Sequence, residues 1–344
     1  MSNKYDAAVF IGRFQPFHVG HESVIREAIN QAKEVIVVVG SSFAARNIRN
    51  PFTFEERKTM IKSAFPQENV KVVPVADYPY DDGKWIAAIQ TLVSSTMSFT
   101  PDPIKVALIG HQKDETSYYL NLFPRWDSIS VPNIDDISAT DIRKMLFEDG
   151  YPSKIASLMP ARSYTAMADV ILKNATIGGA WDILSKEYKM IQDYKKAWEA
   201  APYPPTFMTT DTVVVQSGHV LLVKRGAMPG KGQWALPGGF LNQYEKMLDG
   251  AIRELKEETK IKVPVPVLYG SVVKEKVFDA PYRSTRGRTI TMAYHIDLGY
   301  DNKLPKVKGS DDAEFAKWVP FSEVKREEMF EDHFFIIDYF LNIG

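Results

Sequence analysis

GRFQPFHVGH, residues 12–21, follows the apolar run at residues 7–11 near the start of a 344-residue chain. It places two of the six histidines three residues apart, behind a glycine and an arginine. An apolar run, a tight turn and a helix-like stretch (22–33) read as the opening of a βα unit. Zinc would require a third ligand, and HVGHE is not HExxH, in which the glutamate lies between the histidines. A general base would need one imidazole, not a matched pair. Phosphate suits the stretch better: Gly12 lets backbone approach a ligand, Arg13 adds charge, and a helix N-terminus favours anions. The plainer alternative is a pair of polar histidines capping a buried helix start.

Further apolar runs rich in Val and Ile occur at 35–39, 70–75 and 104–109, separated by helix-like stretches at 54–64, 85–95 and 117–122. This rhythm predicts an α/β domain with a doubly wound parallel sheet and ligands at the carboxyl ends of its strands. Gly12, Gly40-Ser41-Ser42 and Gly110-His111 stand at such ends. Residues 160–200 read as helices, and AAPYPP (200–205) reads as a linker. Beyond it the pattern changes to α+β. A hairpin at 212–215 and 219–223 is expected, with strands at 267–273, 289–296 and 316–319 and helices at 246–259 and 334–341. The expected division is 1–185, a helical and Pro-rich linker at 186–205, and 206–344.

Apolar content of 45% and charged content of 25% are those of an ordinary globular protein. From Thr206 onward there are 19 Lys and Arg against 19 Asp and Glu, and upstream 23 against 24. Neither half has the basic surplus of a nucleic-acid binder. Cysteine is absent, which excludes disulfides and thiolate chemistry. With no signal-peptide pattern and no apolar run near 20 residues, a cytoplasmic protein without membrane contact is expected.

The second half contains GGFLNQYEKMLDGAIRELKEETKI, residues 238–261. Glu254, Glu257 and Glu258 fall at i, i+3 and i+4, on one helix face. Leu248, Ala251, Ile252 and Leu255 form an apolar stripe that docks the helix on a sheet. Clustered carboxylates repel one another, and a hard divalent cation such as Mg²⁺ or Mn²⁺ relieves that repulsion. Alone, the triad is equally a solvated acidic face. The spacing of Gly239, Glu245, Arg253, Glu254, Leu255, Glu257, Glu258 and Ile261 resembles the Nudix box. That resemblance implies an α/β/α sandwich with Glu254, Glu257 and Glu258 as metal ligands, Gly239 offering its carbonyl, and Glu245 paired with Arg253. Lys260 stands where the pattern has glycine; a left-handed lysine there would cost about 1–2 kcal/mol. FDAPYRSTRGRTITMAY (278–294) is similar to a segment of the ADP-ribose pyrophosphatase branch. Its Arg283, Arg286 and Arg288 are either ADP-ribose contacts or solvated residues of an exposed hairpin tip. Trp234 either stacks on a base or belongs to the core.

The first half resembles the (H/T)xGH nucleotidyltransferases, specifically the nicotinamide mononucleotide (NMN) adenylyltransferases with GRFQPFHxGH. Their second element, ISxTxxR, is present as Ile137-Ser138-Ala139-Thr140-Asp141-Ile142-Arg143. Ser138 can cap a helix there, with Asp141 completing a capping box. The resemblance implies a Rossmann-like fold in which His18, His21 and Arg143 hold the ATP triphosphate. It also puts Gly12, Arg13, Phe14, Gly110, His111, Lys113, Asp114, Ser138 and Thr140 around the nucleotide, with Arg57 nearby. Asp81, Asp82 and Trp85 are candidates for the NMN side, Trp85 being equally suited to the core.

Together the resemblances imply a bifunctional enzyme using ATP, NMN and ADP-ribose, with Mg²⁺ and, at the second site, Mn²⁺. One half would join AMP to NMN; the other would split ADP-ribose to AMP and ribose 5-phosphate. Two alternatives stand beside this: a non-catalytic ADP-ribose-sensing second domain, or a first domain acting on another phosphate. Whether the chain forms a homo-oligomer is left open by its sequence.

Overall fold

The computed structural model describes residues 4–98, 103–110, 122–132, 137–150, 153–309 and 313–344. The chain divides into two units, Met1–Ser185 and Lys186–Gly344.

In the first unit, β1 (Tyr5–Gly12), β2 (Ala32–Val39), β3 (Val70–Pro74), β4 (Val106–Gly110) and β5 (Asp127–Ser130) form one sheet in the order β3-β2-β1-β4-β5. Every pairing is parallel. The central strands are buried on both faces, which is why they read as unbroken apolar runs. Helices α1 (Val19–Gln31), α2 (Phe54–Ala64) and α3 (Asp82–Thr96) connect them, followed by α4 (Ala139–Glu148), α5 (Ser153–Leu158) and α6 (Ala161–Asn174); α7 (Ala180–Lys196) runs across the boundary into the second unit. Two buried apolar clusters lie on the sheet, one including Val24, Ile25, Met60, Ile61 and Ile142, the other Ile36, Ile89, Val93 and Leu108.

Helix α1 begins at Val19, inside the quoted motif, and ends before Ala32, which already belongs to β2. Strand β5 has no counterpart among the expected elements. Its sequence, DSIS, buries only Ile129, so no apolar run marks it. The helix expected at 117–122 falls, save Leu122, outside the described residues.

The second unit has a mixed sheet in the order β10-β11-β6-β7-β12, built from β6 (Thr206–Gln216), β7 (His219–Arg225), β10 (Val272–Phe278), β11 (Arg288–Asp297) and β12 (Ala313–Pro320). Short strands β8 (Trp234–Ala235) and β9 (Gly238–Phe240) pair with β7 and β6. Helix α8 (Met247–Thr259) buries Ala251, Ile252 and Leu255 against Val214, Leu221 and Tyr294, as its apolar stripe requires. The strand expected at 267–273 is instead helix α9 (Val265–Gly270) followed by β10. Pro264 and Pro266 explain the difference: a fixed φ and no N–H suit a first helical turn and spoil a ladder. Helix α10 (His333–Leu341) closes the chain.

Candidate active sites

At the carboxyl end of β1 the backbone turns sharply, with Phe14 at φ 51°. Gly12 is required beneath it, because a Cβ there would lie 3.0 Å from the Phe14 ring. His18 is the N-cap residue of α1, and its backbone N–H donates to His21 Nδ1 at 3.3 Å. In the neutral imidazole that bond leaves the proton of His21 on Nε2, as a donor. The two imidazoles stack with centroids 3.6 Å apart. Gly20 makes room for them: a Cβ there would lie 3.1 Å from the His18 ring. The His21 ring is further held by Phe14 (4.8 Å) and Phe17 (5.8 Å). The expectation that Phe14 meets the nucleotide is corrected for its side chain. It is buried and packs against Phe10 and His21, so it orients an imidazole.

Gln15 and Arg143 join the two motifs. The Gln15 amide donates to Phe52 O (2.8 Å) and accepts from Phe52 N (2.9 Å). Arg143 Nη1 donates to the Gln15 carbonyl at 2.6 Å, and its Nη2 to Thr140 Oγ1 at 3.1 Å. Ser138 caps α4 by accepting from Thr140 N at 3.1 Å, so its cap bond falls one residue short of the expected capping-box position. Burial, and then the charges of Arg13 and Arg49, pull the Arg143 guanidinium down to about 10. Arginines gathered in this way favour an anion beside them. Arg49 belongs to this group by position alone, since no motif residue in the sequence marks it.

Arg57 lies behind the turns that carry Gly12, Arg13 and Gly40. It is fully buried and donates to the carbonyls of Arg13 (2.6 Å), Gly40 (2.7 Å), Ser41 (3.2 Å) and Thr53 (3.2 Å). It therefore ties together the turns after β1 and β2 and is committed to backbone. Gly110 ends β4 with its carbonyl accepting from Val131 N. His111, Lys113 and Asp114 lie outside the described residues. Asp81 is the N-cap of α3, accepting from Lys84 N at 2.8 Å, and Asp82 is exposed in the first turn. Trp85 is half-buried, 6.1 Å from the Phe123 ring on the apolar cluster beside β4.

The second site lies on α8 and β9. Arg253 Nε and Nη2 bind Glu245 at 3.0 and 2.6 Å. The same guanidinium reaches Glu254 (2.8 Å), Glu257 (2.9 Å) and the Phe240 carbonyl (3.3 Å), contacts beyond the single pair expected. The Arg253 hydrogen bond, outweighing partial burial, holds Glu245 down near about 2, and Arg253 rises in turn. Glu258 behaves oppositely. Burial pushes it up to about 8 although Gly238 N–H donates to it at 3.0 Å, and the Glu254 charge adds to the rise. Burial likewise raises Glu254. A Cβ on Gly239 would sit 2.6 Å from Glu254 Oε1 and displace that carboxylate, so glycine here leaves Glu254 its place.

Two desolvated carboxylates beside an open glycine backbone fit a hard divalent cation. Among the described residues no three acidic or histidine side chains already converge into a ready-made cation site, because Arg253 holds Glu254 and Glu257. Lys260 is left-handed (φ 46°, ψ 29°) and closes α8 by donating to Lys256 O, as the missing glycine foretold.

Among the three arginines of the 278–294 segment, Arg283 is not at an exposed tip. It is buried, with Nε and Nη2 both 2.9 Å from Asp332. The Nε/Nη2 edge of its fork is thus already occupied by a carboxylate. The Arg286 guanidinium lies 4.9 Å from the Phe240 ring, beside Gly239, and Arg288 donates to the Asp279 carbonyl. Trp234 is half-buried, edge-on to Phe315 with Lys224 over its ring. Arg225, 4.1 Å from the Phe330 ring, reaches Glu258 electrostatically and was not marked by the motif.

The family model for cytidylyltransferase-like domains matches residues 9–145, and that for the NUDIX domain matches residues 206–340. A nicotinamide/nicotinic acid mononucleotide adenylyltransferase from Acinetobacter baylyi is 42% identical over 149 residues, covering 42% of this chain and 77% of the relative. A nicotinamide-nucleotide adenylyltransferase from Sulfurisphaera tokodaii is 32% identical over 168 residues, 47% of this chain and 91% of the relative. A bifunctional NMN adenylyltransferase/ADP ribose pyrophosphatase from Francisella tularensis, solved with AMP and a manganese ion, superposes with a TM-score of 0.90 at 36% identity. It covers 99% of this chain and 100% of its own. Fold and sites thus define a nucleotidyltransferase unit joined to a Nudix unit. The chain belongs to the bifunctional NMN adenylyltransferase/ADP-ribose pyrophosphatase family.

Proposed function

We propose that this protein makes and breaks pyrophosphate linkages to AMP at two separate sites. In the first, the NMN phosphate attacks the α-phosphorus of ATP, forming NAD and releasing pyrophosphate. The observation that carries this reading is the Arg143–Gln15 bond, which brings the second motif onto the first at the carboxyl end of β1. The attacking phosphate is already anionic, so no base is required. His18 and His21 at the start of α1, with Arg143 and Arg13, hold the triphosphate and stabilise charge on the departing pyrophosphate. Mg²⁺ on that pyrophosphate is part of the proposal.

In the second site, Glu254, Glu257 and Glu258 with the Gly239 carbonyl would hold a divalent cation, Mg²⁺ or Mn²⁺, which supplies an activated water and neutralises phosphoryl charge when bound. Arg253 keeps Glu254 and Glu257 on the same face as Glu258, and Arg286 stands beside Gly239 to receive an anionic substrate. Hydrolysis of ADP-ribose then gives AMP and ribose 5-phosphate. The test is chromatography of products from ATP with NMN, and from ADP-ribose with Mg²⁺ or Mn²⁺. NAD from the first mixture and AMP from the second are expected; NAD formation unaffected by His21→Ala would refute the first assignment. AMP release that survives Glu258→Gln would refute the second.

A further inference from the structure

Immediately before and at the start of α10, three consecutive residues bind three different points around the second site. Glu331, left-handed at φ 44°, accepts from Thr285 N at 2.9 Å. Asp332 takes both Nε and Nη2 of Arg283. His333 Nδ1 accepts from Leu236 N at 2.9 Å. Asp332, His333, Arg283 and Leu236 are all buried.

The bonds lead in two directions. Leu236 stands two residues before Gly238, whose N–H meets Glu258, and Thr212 N donates to the intervening Pro237 carbonyl. Arg283 Nη2 also approaches Asp211 Oδ2 at 3.9 Å, and the same oxygen accepts from Thr291 Oγ1 at 2.6 Å. Asp211 pairs with Gly238 in the β6–β9 ladder, where a Cβ on Gly238 would lie 2.5 Å from Asp211 Oδ1. Thr285 directly precedes Arg286.

We propose that Glu331, Asp332 and His333 are positioning residues for the hydrolase site. His333 and Asp332 set the Gly238–Gly239 backbone against Glu258 and Glu254, and Glu331 with Asp332 sets the loop that presents Arg286 to substrate. This rests on the hydrolase reading above. None of the three touches substrate. A buried N–H such as that of Leu236 must find an acceptor, so the strand carrying Gly238 and Gly239 has one position while His333 is neutral. A left-handed glutamate costs energy that a free turn would avoid, and here it aims a carboxylate at the neighbouring loop.

The test uses the full chain with His333→Leu, His333→Asn, Asp332→Asn and Glu331→Ala. ADP-ribose hydrolysis is measured against substrate and Mn²⁺ concentration. Mn²⁺ binding without substrate is followed by the spin resonance of the free ion, and thermal melting and NAD formation are read on the same samples. His333→Leu should lower kcat at least tenfold and weaken Mn²⁺ binding, with His333→Asn, which keeps an acceptor, recovering most of both. Asp332→Asn and Glu331→Ala should raise KM more than they lower kcat, with NAD formation unchanged. Unchanged kinetics and Mn²⁺ binding in folded variants would overturn the proposal, as would losses that track melting temperature alone with asparagine no better than leucine. If His333→Leu does not fold, the half-exposed Glu331→Ala, which removes the acceptor for Thr285 N, decides: an unchanged KM overturns the proposal. A wild-type chain that binds Mn²⁺ yet cleaves no ADP-ribose sinks the hydrolase reading itself, and the wild-type rate tells that failure apart from failure of the clamp.

Discussion

Arg57 and Arg253 brace the two sites by opposite chemistry. Arg57 hydrogen-bonds only to neutral carbonyls; burial pulls it down to about 10, against the charges of Asp77 and Glu56 and with that of Arg13. In the same unit burial, and then the charges of Arg13 and Arg49, pull the Arg143 guanidinium down. Arg253 meets three carboxylates and one carbonyl, and its rise is dominated by the Glu245 bond. One positive charge among Glu245, Glu254, Glu257 and Glu258 leaves that face net negative. The same residue type thus braces one site through backbone carbonyls and the other through carboxylates that suit a cation. What decides is the company each guanidinium keeps.

The sharpest way to break this contrast is to exchange the losses. His21→Ala should reduce NAD formation by about 10²–10³-fold while leaving ADP-ribose hydrolysis intact, and Glu258→Gln should do the reverse. Product chromatography on both mixtures reads both effects, and a variant that lowers both activities would deny that the sites are separate. Next in size is Arg57→Met. It strands the buried carbonyls of Arg13 and Gly40, so chemical denaturation should show a loss of about 3 kcal/mol. Arg253→Met, at a partly exposed pair, should cost about 1 kcal/mol or less in stability, with its main effect on hydrolysis.

A smaller effect concerns pH. Burial, against the pull of Asp211, Asp332 and Glu331 and with that of Arg283, lowers His333 below the ordinary imidazole value of 6.5. The unfolded chain takes up a proton near 6.5 that the folded chain refuses, so this stability is full above that pH and is lost as pH falls below it. Melting curves from pH 7.5 to 5 should show a steeper decline for the wild type than for His333→Asn. The smallest expected change is a gain. Lys260→Gly relieves a left-handed side chain and should stabilise by about 1 kcal/mol without altering hydrolysis.

Much of this was legible in the sequence where one pattern carried one consequence. The Val- and Ile-rich runs became buried parallel strands, the stripe on α8 docked as its spacing required, and Lys260 adopted the backbone its glycine-like position implied. What could not be read was which donor meets which acceptor across long separations. Arg283 reads from sequence as either an ADP-ribose contact or a solvated tip residue, because an arginine's sequence neighbours do not reveal that a distant carboxylate will fill its fork. At 267–270 the apolar composition suggests strand, while Pro264 and Pro266 just upstream start a helix. Asp332 and His333 belonged to no motif, and only folding brings Leu236 and Arg283 to them.

Gln15 has a consequence for how the first site comes into being. Its amide is tied to Phe52, 37 residues on, and its carbonyl to Arg143, 128 residues on. During synthesis the histidine motif emerges early and waits for the arginine that completes it. A fragment ending before residue 143 would carry the whole of GRFQPFHVGH and still lack the site, because the last tie is made only when α4 docks.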